Sequence, residues 1–199
     1  MARLGTVPTT RLERTVVDEK SHFRCISAVA ETALVILFPE LEPLIGGLRR
    51  RHTPDGARQM PPHVTLIYPF ADSADVDSRI AGIGRALGWL SPFEAVFRET
   101  GRFAGTLYLK PEPGERFVAI AEALVRAFPE FPPYGGEHDE IVPHVTVAQG
   151  SESLLAGLEE ELVGRVELQT RVERAWLMED TPTGWRRHTA FPLDRHTRV

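Results

Sequence analysis

Residues 32–38, TALVILF, form an unbroken apolar and β-branched run, which predicts a buried strand. From Pro39 the spacing changes. Leu41, Leu44, Ile45 and Leu48 fall at i, i+3, i+4 and i+7, the face of a helix that Pro39 opens and that Gly46 and Gly47 weaken locally. Residues 54–56 read as a loop, and PPHVTLIYPF over 61–70 as a strand entered through two prolines. Val76, Ile80, Ile83, Leu87 and Leu90 make the stripe of a helix over about 75–90, bracketed by Gly88 and Pro92. Phe93, Ala95 and Phe97 then alternate as a strand does.

The pattern starts again at residues 106–110, TLYLK, a strand followed by a Pro/Gly turn at 111–114. Phe117, Ile120, Leu124 and Phe128 predict a helix from about Glu115. The loop FPPYGGEHDE leads into IVPHVTVAQG at 141–150. Ser151 is placed to cap a helix carrying Leu154, Leu155, Leu158 and Leu162, which Gly164 stops. Strands over about 166–178 and 185–191 close the chain, with a turn from Thr181 to Gly184 between them.

The order strand, helix, Pro-His-Val-Thr strand, helix, strand therefore occurs twice, in a first half of about 32–100 and a second of about 104–193. Two such halves bury their sheets against helices and face each other across a cleft. The expected fold is α+β: one bilobal domain over 31–199, pseudo-symmetric, behind an N-terminal extension of residues 1–30. That extension mixes Thr, Arg, Glu and Lys without a period, and reads as a flexible arm or an edge element.

Strand alternation gives the repeated motif its meaning. Residues i and i+2 share a face, so His63 and Thr65 point one way while Val64 and Leu66 point the other. His144 and Thr146 likewise stand opposite Val145 and Val147. Each unit buries an apolar side and presents one imidazole with one hydroxyl. A lone strand histidine is more often structural than catalytic; two in the same surroundings at equivalent places reverse those odds. Two imidazoles brought together can divide the work of base and acid, because their ordinary pKa of about 6.5 lies near working pH. The hydroxyls would hold non-bridging phosphate oxygens.

These two H-x-T motifs, one per half, resemble those of the 2H phosphoesterase superfamily, which includes 2′-5′ RNA ligase-like proteins and cyclic nucleotide phosphodiesterases of RNA metabolism. The resemblance covers about residues 32–193, leaves the N-terminal extension outside, and extends to PPYGG at 132–136, which is similar to the loop before the second motif in bacterial members. It implies two antiparallel sheets with external helices around a central cleft. It implies catalytic roles for His63, Thr65, His144 and Thr146, and metal-independent opening of 2′,3′-cyclic phosphates of RNA ends or small nucleotides. The alternatives are 2′-5′ RNA ligase activity at the same site and a nucleotide- or RNA-binding module without chemistry. A pure binder has no use for a matched acid and base.

Composition narrows the partners. The net charge is −5 and the pI about 5.8, which argues against coating extended DNA or RNA and leaves room for a phosphate held in a local pocket. Arg49, Arg50 and Arg51 read as a solvated helix end. Arg102, Lys110, Arg186 and Arg187 are the other cations that could approach a phosphate. Without an apolar run long enough to span a bilayer, no membrane association is expected. The single cysteine, Cys25, excludes a disulfide framework and suits a reducing cytoplasm. The expected protein is a cytoplasmic monomer whose partner is a nucleotide or RNA terminus bearing a cyclic phosphate.

Three aromatic residues are candidates for substrate binding: Tyr134 in the Pro/Gly loop, Phe70 at the end of the first motif strand, and Trp185 after the last turn. Tyr68 shares the alternation of Val64 and Leu66 and is expected in the core. A metal reading of His138, Asp139 and His144 lacks regular ligand spacing, so no metal or cofactor is expected.

Overall fold

A computed structural model of the chain describes residues 31–132, 136 and 140–193. The expected N-terminal arm, Cys25, Tyr134, His138 and Asp139 lie outside the described residues. The first strand, β1, spans Thr32–Leu37. A 3-10 turn at Pro39–Leu41, a π-helical turn at Glu42–Gly46, helix α1 (Gly47–His52) and helix α2 (Pro54–Ala57) lead to β2, His63–Ile67. After α3 (Ile80–Leu87) come β3 (Phe93–Phe103), β4 (Thr106–Glu112) and α4 (Gly114–Ala127). The chain continues through β5 (Val145–Gln149), α5 (Glu152–Leu162), β6 (Leu168–Val172), β7 (Arg174–Thr181) and β8 (Gly184–Pro192).

Two antiparallel four-stranded sheets result, ordered β2-β1-β7-β8 and β5-β4-β3-β6. Strand β1 is buried from Thr32 to Ile36, so it needs neighbours on both edges; it has β2 on one and β7 on the other. Sheet membership crosses the two sequence halves. β3 follows the first helix set yet pairs with β4 of the second sheet, and β7 and β8 return from the end of the chain to complete the first. The run expected as one strand over 166–178 is accordingly two strands in different sheets, divided at Glu173. A continuous apolar pattern cannot show where a strand changes sheets.

One core joins the inner faces of both sheets, with Leu34, Ile36, Val64 and Leu66 meeting Leu107, Leu109, Val145 and Val147. Phe38 packs edge-on against Phe97 at 4.8 Å between centroids, directly linking the two sheets. The helices pack crosswise: α4 of the second half lies on β2, and α1 of the first half lies on β5. The helix read from Pro39 is broken into three turns, and the expected loop at 54–56 is helical, because Thr53 Oγ1 accepts from Gly56 N at 3.0 Å and caps α2. Ser151 caps α5 as expected, and Gly164 (φ +70°) follows its end in the left-handed conformation. Among the described residues no helix is long and apolar enough to cross a membrane.

Candidate active site

β2 and β5 each carry one copy of the repeated motif, and both copies open on one cleft of about 380 Å³. His63, Thr65, His144 and Thr146 all line it, so the structure brings together the four residues singled out by strand alternation. Their burial alternates as expected: Val64 and Val145 are buried while the four site residues remain partly accessible.

Each imidazole is held in the same way. Nδ1 of His63 lies 2.8 Å from the carbonyl oxygen of Pro61, and Nδ1 of His144 lies 2.7 Å from that of Val142. A carbonyl only accepts, so Nδ1 carries the hydrogen in both rings. This fixes the tautomer and leaves Nε2 as the nitrogen that takes or gives a proton. The ring of His144 packs edge-on against Phe103 and Tyr108, at 5.2 and 5.5 Å between centroids. Tyr108 finds room there because its strand partner is Gly101, where a Cβ would stand 2.5 Å from the phenol ring.

Burial pushes the His63 pKa down to about 4, reinforced by the Arg49 guanidinium and opposed by Asp55. Burial likewise lowers that of His144. Both rings are therefore neutral at pH 7. The sign for stability follows from linkage. The unfolded chain takes up the His63 proton near pH 6.5 and the folded chain only near 4, so the stability present above 6.5 is lost as pH falls between those values. The loss amounts to about 3 kcal/mol at full development. The melting temperature is expected to fall more steeply from pH 7 to 4.5 in the parent protein than in His63→Gln; equal slopes in thermal denaturation would contradict it. Asp55 and Glu179 act in a lower window, since their carboxyl pKa values are depressed from ordinary values near 4: burial opposes the shift at Asp55 but Arg49 and His63 outweigh it, and Ser73 and Arg186 hold Glu179.

The strands depart from simple alternation at the same place in each copy. On β2, Val35 faces Thr65 while its neighbour Leu34 faces Ile67; on β5, Tyr108 faces Thr146 while Leu107 faces Ala148. One extra residue therefore sits in each site strand, a β-bulge that reverses the facing of everything after it. Leu66 and Ile67 are both buried, as are Val147 and Ala148. Tyr68 and Gln149 then emerge on the face of the histidines and line the cleft. Tyr68 is thus not in the core as expected: it is 37% exposed, donates to Glu31 Oε2 at 2.7 Å and packs edge-on against Trp185. Its phenol pKa is pushed up to about 12 by burial and by the bond to Glu31, so the hydroxyl remains a donor. Two consecutive apolar residues after each Thr, Leu66-Ile67 and Val147-Ala148, were the sequence signal for this switch.

Trp185 lines the cleft and packs partly buried against Ala33, Val35, Met60 and Met178. It is placed there by Gly184 (φ +124°), whose missing Cβ would stand 2.7 Å from the Arg58 carbonyl oxygen, and by its own N–H donating to that oxygen at 2.9 Å. Phe70 requires a correction. It is buried against Phe128 and Phe131, at 5.4 and 4.8 Å, and does not line the cleft. Phe70 lies three residues past the end of β2 at Ile67, so strand alternation does not place its side chain.

The basic residues fall differently from expectation as well. Arg102 pairs with Glu152 and Glu159, Lys110 with Glu99, Arg186 with Glu179, and Arg187 lies over Trp176. The cleft is instead flanked by Arg58, whose Nε donates to Asp180 Oδ1 at 3.1 Å. Arg49 is not a solvated helix end: its side chain is 1% exposed and reaches under the site. Among the described residues no group of three His, Cys, Asp or Glu side chains is placed to hold a metal ion, and the His138 and Asp139 of the metal reading lie outside them.

Two matched His-x-Thr strands opening on one cleft between two antiparallel sheets define the 2H phosphoesterase class. A model of the family described as the 2′-5′ RNA ligase superfamily matches residues 37–183, and the chain belongs to that superfamily. No curated protein sequence matches the chain. Among solved structures it is similar to TT0787 of Thermus thermophilus, with 21% identity, a TM-score of 0.58, and coverage of 84% of this chain and 100% of that one. It is also similar to Escherichia coli LigT complexed with 3′-AMP, with 16% identity, a TM-score of 0.57, and coverage of 83% and 98%. LigT complexed with NADP+ gives 17% identity, a TM-score of 0.55, and coverage of 84% and 99%.

Proposed function

We propose that this protein opens 2′,3′-cyclic phosphates of RNA ends or small nucleotides by metal-independent acid–base catalysis between His63 and His144. The observation that carries the reading is the matched pair of Nδ1–carbonyl bonds, which reserves Nε2 of both rings for proton transfer in a shared cleft. One neutral imidazole takes a proton from water as the water oxygen bonds to phosphorus. The other, as imidazolium, gives its proton to the ribose oxygen as the P–O bond breaks. The Thr65 and Thr146 hydroxyls donate to the non-bridging oxygens, where negative charge grows. Proton exchange with solvent restores the starting state. The solved LigT complexes with nucleotides support a nucleotide as the ligand class. A ribose 5′-hydroxyl in place of the water gives the strand-joining reaction at the same atoms.

The test is a panel of 2′,3′-cyclic nucleotides and cyclic-phosphate-ended oligonucleotides, with 2′- and 3′-phosphate products resolved and an acceptor 5′-hydroxyl in a parallel arm. Turnover undiminished by chelator is expected. Because the free enzyme holds its histidine protons weakly, kcat/KM should be bell-shaped in pH with its maximum on the acid side of neutrality. Binding without turnover across the panel would make the protein a binding module; loss of activity to chelator and its return with metal would make it a metallohydrolase.

A further inference from the structure

We propose that Asp55 is the positioning residue of His63, with Arg49 as its counter-charge and as the link that ties this half-site to the backbone of Thr146 in the other. The inference rests on the reading of His63 as an acid–base group and adds to it residues outside the two H-x-T motifs.

The geometry runs through one buried side chain. Arg49 stands on α1 in the first half, and its Nη1 donates to the carbonyl oxygen of Thr146 on β5. Its Nη2 donates to Asp55 Oδ2 at 2.7 Å and to the Met60 carbonyl oxygen at 3.4 Å. That same Asp55 oxygen lies 3.9 Å from Nε2 of His63, the nitrogen left for proton transfer. The other carboxylate oxygen of Asp55 accepts from Gly56 N at 2.8 Å, so the carboxylate is held from both sides. Asp55 lines the cleft with the four motif residues, whereas Arg49 lies beneath it.

The charges bear on His63 with opposite signs. Asp55 favours the imidazolium and Arg49 disfavours it, and His144 across the cleft also disfavours it. Among the described residues, Arg58, Asp180, Gln149 and the Tyr68 hydroxyl are the other polar groups lining the cleft. An incoming phosphate adds negative charge on the open side, where Asp55 already assists protonation. Burial and Arg49 together outweigh Asp55, so His63 rests neutral until substrate charge adds to that of Asp55, and the bond to Thr146 makes the spacing of the two half-sites depend on the same guanidinium.

The test is an NMR titration of the His63 ring in the full chain, for the parent, Asp55→Asn, Asp55→Glu and Arg49→Met, with melting temperatures and kcat/KM–pH profiles measured alongside. Asp55→Asn should move the His63 midpoint down by about one pH unit, and Arg49→Met should move it up by about one. Asp55→Glu should restore most of the parent value. A merely structural role lowers melting temperature without moving the two midpoints in opposite directions. Midpoints that stay put, or that move the same way in both variants, would overturn the proposal. If Arg49→Met does not fold, the Asn and Glu variants at position 55 decide alone. Opposite shifts in a protein with no turnover would uphold this proposal and overturn the phosphoesterase reading instead.

Discussion

Alanine in place of His63 or of His144 is expected to lower kcat by roughly 10²–10⁴-fold, the range that one well-placed general acid or base supplies. Each ring has a tautomer fixed by its own carbonyl partner, so neither can substitute for the other within one catalytic cycle. The double variant should fall little below the weaker single, because an acid without its base loses most of its value. Thr65→Val and Thr146→Val should cost about 10²-fold each, through lost donation to the phosphate oxygens. The fold should survive all four changes: Val64 and Val145 beneath the site are buried, whereas the four motif side chains keep contact with solvent. Single-turnover rates with a cyclic-phosphate substrate, together with melting temperatures, measure both parts. Parental activity in either histidine variant would dismiss the mechanism.

The second large effect is on stability. Arg49→Met should cost about 3 kcal/mol, since removing one member of a buried polar cluster strands the groups left behind. Those groups are the carbonyl oxygens of Thr146 and Met60; Asp55, with its side chain 31% exposed, can be rehydrated. For a domain of this size the melting temperature should drop by roughly 6–12 °C. Arg50→Met should change it little, because Arg50 is 59% exposed and pairs with Glu42 at the surface. Equal melting temperatures for the two variants would mean that the buried guanidinium contributes no more than its solvated neighbour.

The contrast between Arg49 and Arg50 shows what the sequence conveys and what it withholds. Three adjacent arginines look alike in one dimension. Arg49 alone falls four residues after buried Ile45 on the inward face of its turn, a periodicity that the triple charge conceals. His63, Thr65, His144 and Thr146 were legible because strand alternation is a local property and the motif occurs twice. Tyr68 and Gln149 were not, because a bulge is a relation between two strands, and only the doubled apolar residues before them hint at it. Helix faces were readable from spacing, as at Ile83 and Leu87 or Leu155, Leu158 and Leu162. Sheet membership was hidden because the pairing of β1 with β7 depends on contacts far apart in the chain.

That pairing has a consequence for how the protein is made. Val35 meets Trp176 in the finished sheet, so the strand next to the first histidine leaves the ribosome long before its neighbour exists. At translation rates of roughly 5–20 residues per second the interval is on the order of ten seconds. Throughout it, an apolar strand has one edge unpaired, a template for association with other nascent chains. The yield of soluble protein should therefore depend on temperature and on chaperone supply during synthesis more than on the stability of the folded product.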